Sequence, residues 1–336
     1  MSQPSTAAPF GLPTVDDALA ADLARGLEEV EERLRTAVRS EDAFITEASR
    51  HLVDAGGKRF RATLVLLASH FGDATAAEIV PAAVVVELTH LATLYHDDVM
   101  DEAALRRGEA SANSRWDNTV AILTGDLLFA RASDVVAGLG PEAVRLQART
   151  FSRLVHGQIQ ETVGPRPGDD RLQHYMEVVA DKTASLIATS GRFGAMFARA
   201  DAASVDIVTR ACEAIGVAFQ LSDDILDITS ESVESGKTPG TDLREGVLTL
   251  PMLYALRSSE PSGARLRELL ASDLSDDDAR HAEALALLRA DAAMATARAD
   301  THRWADTART EILKLPESTA RDAFEALCDF VVERTG

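Results

Sequence analysis

Apolar residues recur at helical spacing along almost the whole chain. Leu19, Leu23, Leu27, Val30 and Leu34 fall at intervals of three and four, which predicts an amphipathic helix over about 15–39. The stretch 54–61, with Gly56 and Gly57, breaks the pattern. A strongly apolar helix is expected over 62–71, and Pro81 suits the first turn of another. That run goes from Ala82 past Met100, with Val84, Val85, Leu88, Leu91, Ala92, Tyr95, Val99 and Met100 on a broad apolar side. Gly108 closes it. Further helices are expected over 116–136, 141–163, 172–197, 203–228 and 249–257, followed by an Ala/Leu-rich helical remainder. Residues 229–246 are a Gly/Ser/Thr-rich loop, long for a helical protein, and long ordered loops are often functional.

Period-two alternation and Asn-Gly hairpin turns are missing, so strands are not expected. No repeat and no linker divides the chain. The expectation is one all-α domain over 14–336, a helical bundle with its most apolar helices at the centre, behind a loose Pro-rich tail at 1–13. Composition agrees: apolar residues make up 46% but aromatics only 5%, a balance that favours helix over strand. A net charge of −20 repels phosphate backbones and argues against nucleic acid as a partner. Cys212 and Cys328 stand alone in apolar helical patterns, which suggests core packing in a reducing, cytoplasmic setting. The first residues carry no basic and apolar segments of the secretory kind. No uncharged apolar run reaches the roughly 18 residues of a membrane span, so no transmembrane segment is expected.

Against that background the acids are informative. Asp-Asp pairs occur several times, but only two continue to a third Asp four residues after the first: Asp97-Asp98-x-x-Asp101 and Asp223-Asp224-x-x-Asp227. Both lie in apolar helical contexts, LYHDDVMDEA and FQLSDDILDITS, whereas random acidity would favour the polar segments. On a helix, positions i and i+4 share a face, and the middle Asp of each motif lies about 100° round. Clustered carboxylates repel one another and resist burial, so they call for cations. Oxygen-only donors suit Mg²⁺, which commonly takes one or two carboxylates and completes its shell with water and substrate phosphates. One such motif is also what a solvated acidic face looks like; two on apolar helices are not. Lys58, Arg59 and Arg61 in GGKRFR, Arg106 and Arg107 one turn past the first motif, Lys182 in VVADKTASLIA and Lys237 in the long loop supply positive charge beside these acids. Each alone fits a solvated turn or helix cap. Together they suit a second phosphate group held without metal.

The order of motifs resembles the trans-isoprenyl diphosphate synthases, or polyprenyl synthetases. The resemblance runs from about Leu52 to Leu256 through GGKRFR, HLATLYHDDVMDEAALRRG, GDLLFAR, GQIQE, DKTASLI and FQLSDDILDI with its loop GKTPGTDLREGVLTLPMLYAL. It implies an all-α isoprenoid-synthase bundle, its central helices around a deep apolar tunnel, usually a homodimer. It implies Mg²⁺-dependent joining of isopentenyl diphosphate to an allylic diphosphate, with three metal ions when substrate is bound. Asp97, Asp101 and Asp223 would carry the metal, supported by Asp98, Asp224 and Asp227. Arg106, Lys182 and Lys237 would hold the allylic diphosphate; Lys58, Arg61, His90 and Arg107 would hold isopentenyl diphosphate; Thr183 and Gln220 would face the allylic carbon. Two positions depart from the family pattern. Ala62 stands for the usual proline, and Val247 replaces a common phosphate-binding lysine, for which Arg244 is a candidate substitute. Ala92 and Thr93, one turn before Asp97, would set product length. Short-chain members carry a bulky aromatic here, so Ala92 suggests an open tunnel, with Phe129 or Met196 further down as candidate floor, and a product in the C30–C50 range. The alternatives are a short-chain farnesyl or geranylgeranyl diphosphate synthase and a non-catalytic synthase subunit; the latter typically loses the Asp motifs, which are complete here.

Overall fold

The computed structural model describes residues 16–230 and 239–333. The tail expected at 1–13 and the loop residue Lys237 lie outside them. In chain order the helices begin with α1 (Asp17–Ala37), α2 (Ala43–Asp54), α3 (Phe60–Ser69) and α4 (Ile79–Met100). Asp16 opens α1 by accepting the Leu19 N–H at 2.8 Å, and Asp42 does the same for α2 with the N–H groups of Phe44 and Ile45. A two-stranded hairpin follows, β1 (Leu105–Arg106) with β2 (Glu109–Ala110). Then come α5 (Ala112–Arg115), α6 (Asn118–Ala137), α7 (Pro141–Val163) and α8 (Arg171–Val179). A π-helical segment, Ala180–Ala184, joins α8 to α9 (Ser185–Phe197). The series ends with α10 (Ala202–Thr229), α11 (Thr241–Glu245), α12 (Leu250–Arg257), α13 (Ala264–Leu270), α14 (Asp278–Ala290), α15 (Ala292–Ile312) and α16 (Thr319–Glu333).

Four features differ from the periodicity. The helix expected over 116–136 starts at Asn118, because Asp117 caps it by accepting the Val120 N–H at 2.8 Å. Trp116 is left outside, with its ring against His51, Phe44 and the Arg115 guanidinium. The helix expected over 172–197 carries the π segment in its middle, and α11 lies inside the expected loop. The hairpin was not expected. Its turn residues Arg107 (φ 55°) and Gly108 (φ 82°) both adopt the left-handed conformation that a tight two-residue hairpin requires.

The described residues form two compact units. The first is drawn from Met1–Ser152, Leu186–Cys212 and Glu311–Leu327. Its centre is α4, packed on α6, α3 and α1 and burying Val84, Val85, Leu88, Leu91 and Tyr95. Each such side chain contributes roughly 1.5–3 kcal/mol when fully buried. Alone among the described helices, α4 is long and apolar enough to cross a membrane, but 67% of that stretch is buried within the protein. The second unit is drawn from Arg153–Ser185, Glu213–Thr310 and Cys328–Gly336. Its core joins Val217, Leu221, Ile225 and Ile228 of α10 to Leu250, Met252, Leu269 and Leu288. Cys212 and Cys328 are both buried.

Candidate active site

In the first unit the last turns of α4 carry His90, Asp97 and Asp98, and Asp101 caps the helix. The middle aspartate is the buried one. Asp98 is fully shielded and accepts from Arg106 Nε at 2.5 Å, whereas Asp97 is partly exposed and Asp101 exposed. Burial raises the Asp98 carboxyl above the usual range, opposed by Arg106. Arg106 also lies 4.0 Å from Asp101. The hairpin exists to present these bases: it turns Arg106 back onto α4 and Arg107 onto the glycine loop. Arg107 does more than the sequence suggested. Its Nη1 donates to the carbonyls of Leu52, at 2.8 Å, and of Gly56, so it also pins the GGKRFR loop. Burial lowers Arg107 to about 10, helped by Arg59. Gly57 has φ 138°, a conformation that favours glycine, and a side chain there would press on the Arg107 guanidinium at 2.9 Å.

Within GGKRFR, Arg59 is structural. It has φ 49° and is buried; it donates to Glu31 at 2.5 Å and to the Val53 carbonyl at 2.9 Å, and lies 3.7 Å from Glu87. Glu87, the charge that interrupts the apolar run of α4, accepts the Ala62 N–H at 3.0 Å and so caps α3. His90 is partly buried, and its imidazole is held well below the usual value, first by burial and then by Arg61, Arg107, Arg59 and Arg106. It is therefore neutral near pH 7, in a locally positive environment within a chain of net charge −20. Ala92 is buried, and the Thr93 hydroxyl donates to the His90 carbonyl at 2.8 Å.

In the second unit the same burial order recurs. Asp224 is buried, while Asp223 and Asp227 are partly exposed. Burial pushes Asp224 up to about 7, opposed by hydrogen bonds from Tyr175 and Gln220. Gln220 Nε2 donates to Asp224 Oδ1 at 2.8 Å, and Thr183 Oγ1 donates to Gln220 Oε1 at 2.8 Å. Gln220 is thus held between Asp224 and Thr183. Asp227 accepts the N–H groups of Thr241 and Asp242, at 3.1 and 3.2 Å, and so holds the end of the long loop. Lys182 pairs with Glu161 of GQIQE. The π segment carrying it is gripped from α7: Arg153 Nε donates to Asp181 at 2.7 Å, His156 lies 3.0 Å from the same carboxylate, and Gly157 allows close backbone approach. Arg244, the candidate substitute for the missing lysine, donates to the Ser275 carbonyl at 3.0 Å and pairs with Asp278 at 2.9 Å, while Val247 is exposed.

The family profile "Polyprenyl synthetase" matches residues 42–288. The nonaprenyl diphosphate synthase of Mycobacterium tuberculosis is 50% identical over 327 residues, covering 97% of both chains. The chain belongs to the polyprenyl synthetase family. Among solved structures, geranylgeranyl pyrophosphate synthase from Corynebacterium glutamicum, complexed with calcium and isoprenyl diphosphate, has TM-score 0.87 and 46% identity, covering 96% of this chain and 99% of that one. A decaprenyl diphosphate synthase from Rhodobacter capsulatus has TM-score 0.85 and 32% identity, covering 95% and 99%. Like these relatives, the chain is an all-α prenyltransferase.

A divalent cation fits the donors of this polyprenyl synthetase. Buried Asp98 Oδ2 has no hydrogen-bond donor, and the two exposed-side aspartates of each motif offer only oxygen. No three metal-ligating groups converge among the described residues. That suits an ion held by one or two carboxylates and completed by substrate phosphate, rather than a closed protein cage.

Proposed function

We propose that the chain elongates an allylic diphosphate with isopentenyl diphosphate to a trans-polyprenyl diphosphate in the C30–C50 range. The observation that carries this is the pair of complete DDxxD motifs, each with its middle Asp buried and its outer two at least partly exposed, together with the arginines whose charge bears on His90 in the first unit. Asp97, Asp101 and Asp223 would hold Mg²⁺, three ions per site, which would supply positive charge to the departing diphosphate as the allylic C–O bond breaks. Arg106, Lys182 and Lys237 bind the allylic diphosphate; Lys58, Arg61, Arg107 and neutral His90 bind isopentenyl diphosphate. The Thr183 and Gln220 dipoles face the positive allylic carbon. The double bond of isopentenyl diphosphate then attacks that carbon, a proton leaves to the released diphosphate, and the product is one five-carbon unit longer. Exposed Val155, Ile159 and Val163, at i, i+4 and i+8 on α7, support a homodimer face. The setting is cytoplasmic.

The test is condensation of labelled isopentenyl diphosphate with farnesyl diphosphate. Asp97→Ala and Asp223→Ala should each lower turnover at least about 100-fold. Chelation should abolish it and added Mg²⁺ restore it. Unchanged turnover in both variants refutes the assignment.

A further inference from the structure

Four side chains of the second unit form a continuous chain of hydrogen bonds. The Tyr175 hydroxyl donates to Asp224 Oδ2, Gln220 Nε2 donates to Asp224 Oδ1 at 2.8 Å, and Thr183 Oγ1 donates to Gln220 Oε1 at 2.8 Å. Asp224 is buried, so it takes its partners from protein rather than from bulk water. The direction of the chain follows from chemistry. In its ionised form Asp224 only accepts, and the observed contact has the Gln220 NH₂ donating to it. The amide oxygen therefore faces Thr183, and the Thr183 hydroxyl spends its proton on Gln220. The lone pairs of Thr183 are left to point elsewhere. Tyr175 makes this arrangement unambiguous: its O–H occupies Oδ2, so the other carboxylate oxygen is left to Gln220.

We propose that Tyr175 and Asp224 are positioning residues that set the polarity of the Gln220–Thr183 pair, so that Thr183 offers lone pairs rather than a proton to the positive allylic carbon. This rests on the reading of Thr183 given above. Reversal of the chain would aim an O–H dipole at developing positive charge and oppose ionisation. The second aspartate of the second motif thus serves orientation, and Tyr175, outside every motif the sequence displays, is the residue that anchors it. Lys182, next to Thr183, makes its own ion pair with Glu161 and is not part of the chain.

The experiment is single-turnover condensation of isopentenyl diphosphate with farnesyl diphosphate in Mg²⁺, with KM measured for both. Tyr175→Phe should slow the single-turnover step about 10- to 100-fold while both KM values stay within about twofold. Thr183→Val should slow it comparably, and Thr183→Ser should restore most of the rate. Tyr175→Phe combined with Thr183→Val should be no slower than Thr183→Val alone, because the two act through one chain. Should Tyr175→Phe fail to fold, Asp224→Asn, which keeps the volume and offers an amide donor, should show the same loss and the same non-additivity. A Tyr175→Phe enzyme at the wild-type rate, or additive losses in the double variant, overturns the proposal. Absence of turnover in the wild-type protein instead overturns the functional reading itself.

Discussion

Gly157 is a sharp test of how α7 shapes the site. A methyl group there would sit 2.6 Å from the Lys182 backbone nitrogen and 3.1 Å from the Asp181 carbonyl carbon and Cβ. Two of those atoms are main chain, so no side chain can rotate away. To reach an ordinary contact of 3.4 Å the π segment must retreat by about 0.8 Å. Gly157→Ala gains up to about 1 kcal/mol of helix propensity in α7, while overpacking typically costs about 1–3 kcal/mol. The net destabilisation should therefore be small, about 0–2 kcal/mol by chemical denaturation. Activity should suffer more. Lys182 and Thr183 move with the segment, and a misplacement near 1 Å can cost about 100-fold, so condensation should fall about 10- to 100-fold. Gly138→Ala is the control: it has an ordinary φ of −68° and its nearest contact would be 3.4 Å, so stability and rate should hold, within about 0.5 kcal/mol. A Gly157→Ala enzyme with wild-type rate would show that the close approach does not position these residues.

Arg59→Met leaves Glu87 buried without its guanidinium partner and should destabilise by about 3–5 kcal/mol in urea unfolding, whereas a surface Arg would cost little. Tyr95→Phe removes the hydroxyl that donates to the Ala48 carbonyl at 2.6 Å and accepts the Leu52 N–H at 3.2 Å; both are buried, and the loss should be about 1–3 kcal/mol. His90 is held neutral in the fold, so below its usual value of 6.5 the unfolded chain takes up a proton that the fold refuses. Stability should therefore decline as pH falls from about 6.5 toward the lower folded value, and His90→Asn should flatten that part of the stability–pH curve.

The helical class and the approximate spans of α1, α3, α4, α6, α7 and α10 were legible because their apolar periodicity survives burial. The acid motifs were legible for the same reason: i and i+4 on an apolar helix leave no ordinary role for a carboxylate. Partnership was less legible. Nothing local says that Arg107 will spend donors on Leu52 and Gly56, or that Gln220 will be held between Thr183 and Asp224, since these depend on chain segments far apart in sequence. The π segment also escaped notice. One extra residue per turn over five positions barely disturbs a hydrophobic pattern, and only the glycine of GQIQE, facing it from α7, hinted at close backbone packing. Tyr175 carries no sequence sign of its role, because a phenol at helical spacing gives no hint of the carboxylate it will meet. The Arg107-Gly108 hairpin turn was hidden because arginine seldom takes a positive φ; here the guanidinium's carbonyl contacts compensate for it.

The most direct measurement is the length of the product. The protein is supplied with isopentenyl diphosphate, farnesyl diphosphate and Mg²⁺, and the dephosphorylated alcohols are weighed by mass spectrometry. A ladder ending within C30–C50 is the predicted result. Termination at geranylgeranyl would contradict the open tunnel inferred at Ala92, and absence of any elongated product would contradict the proposed function.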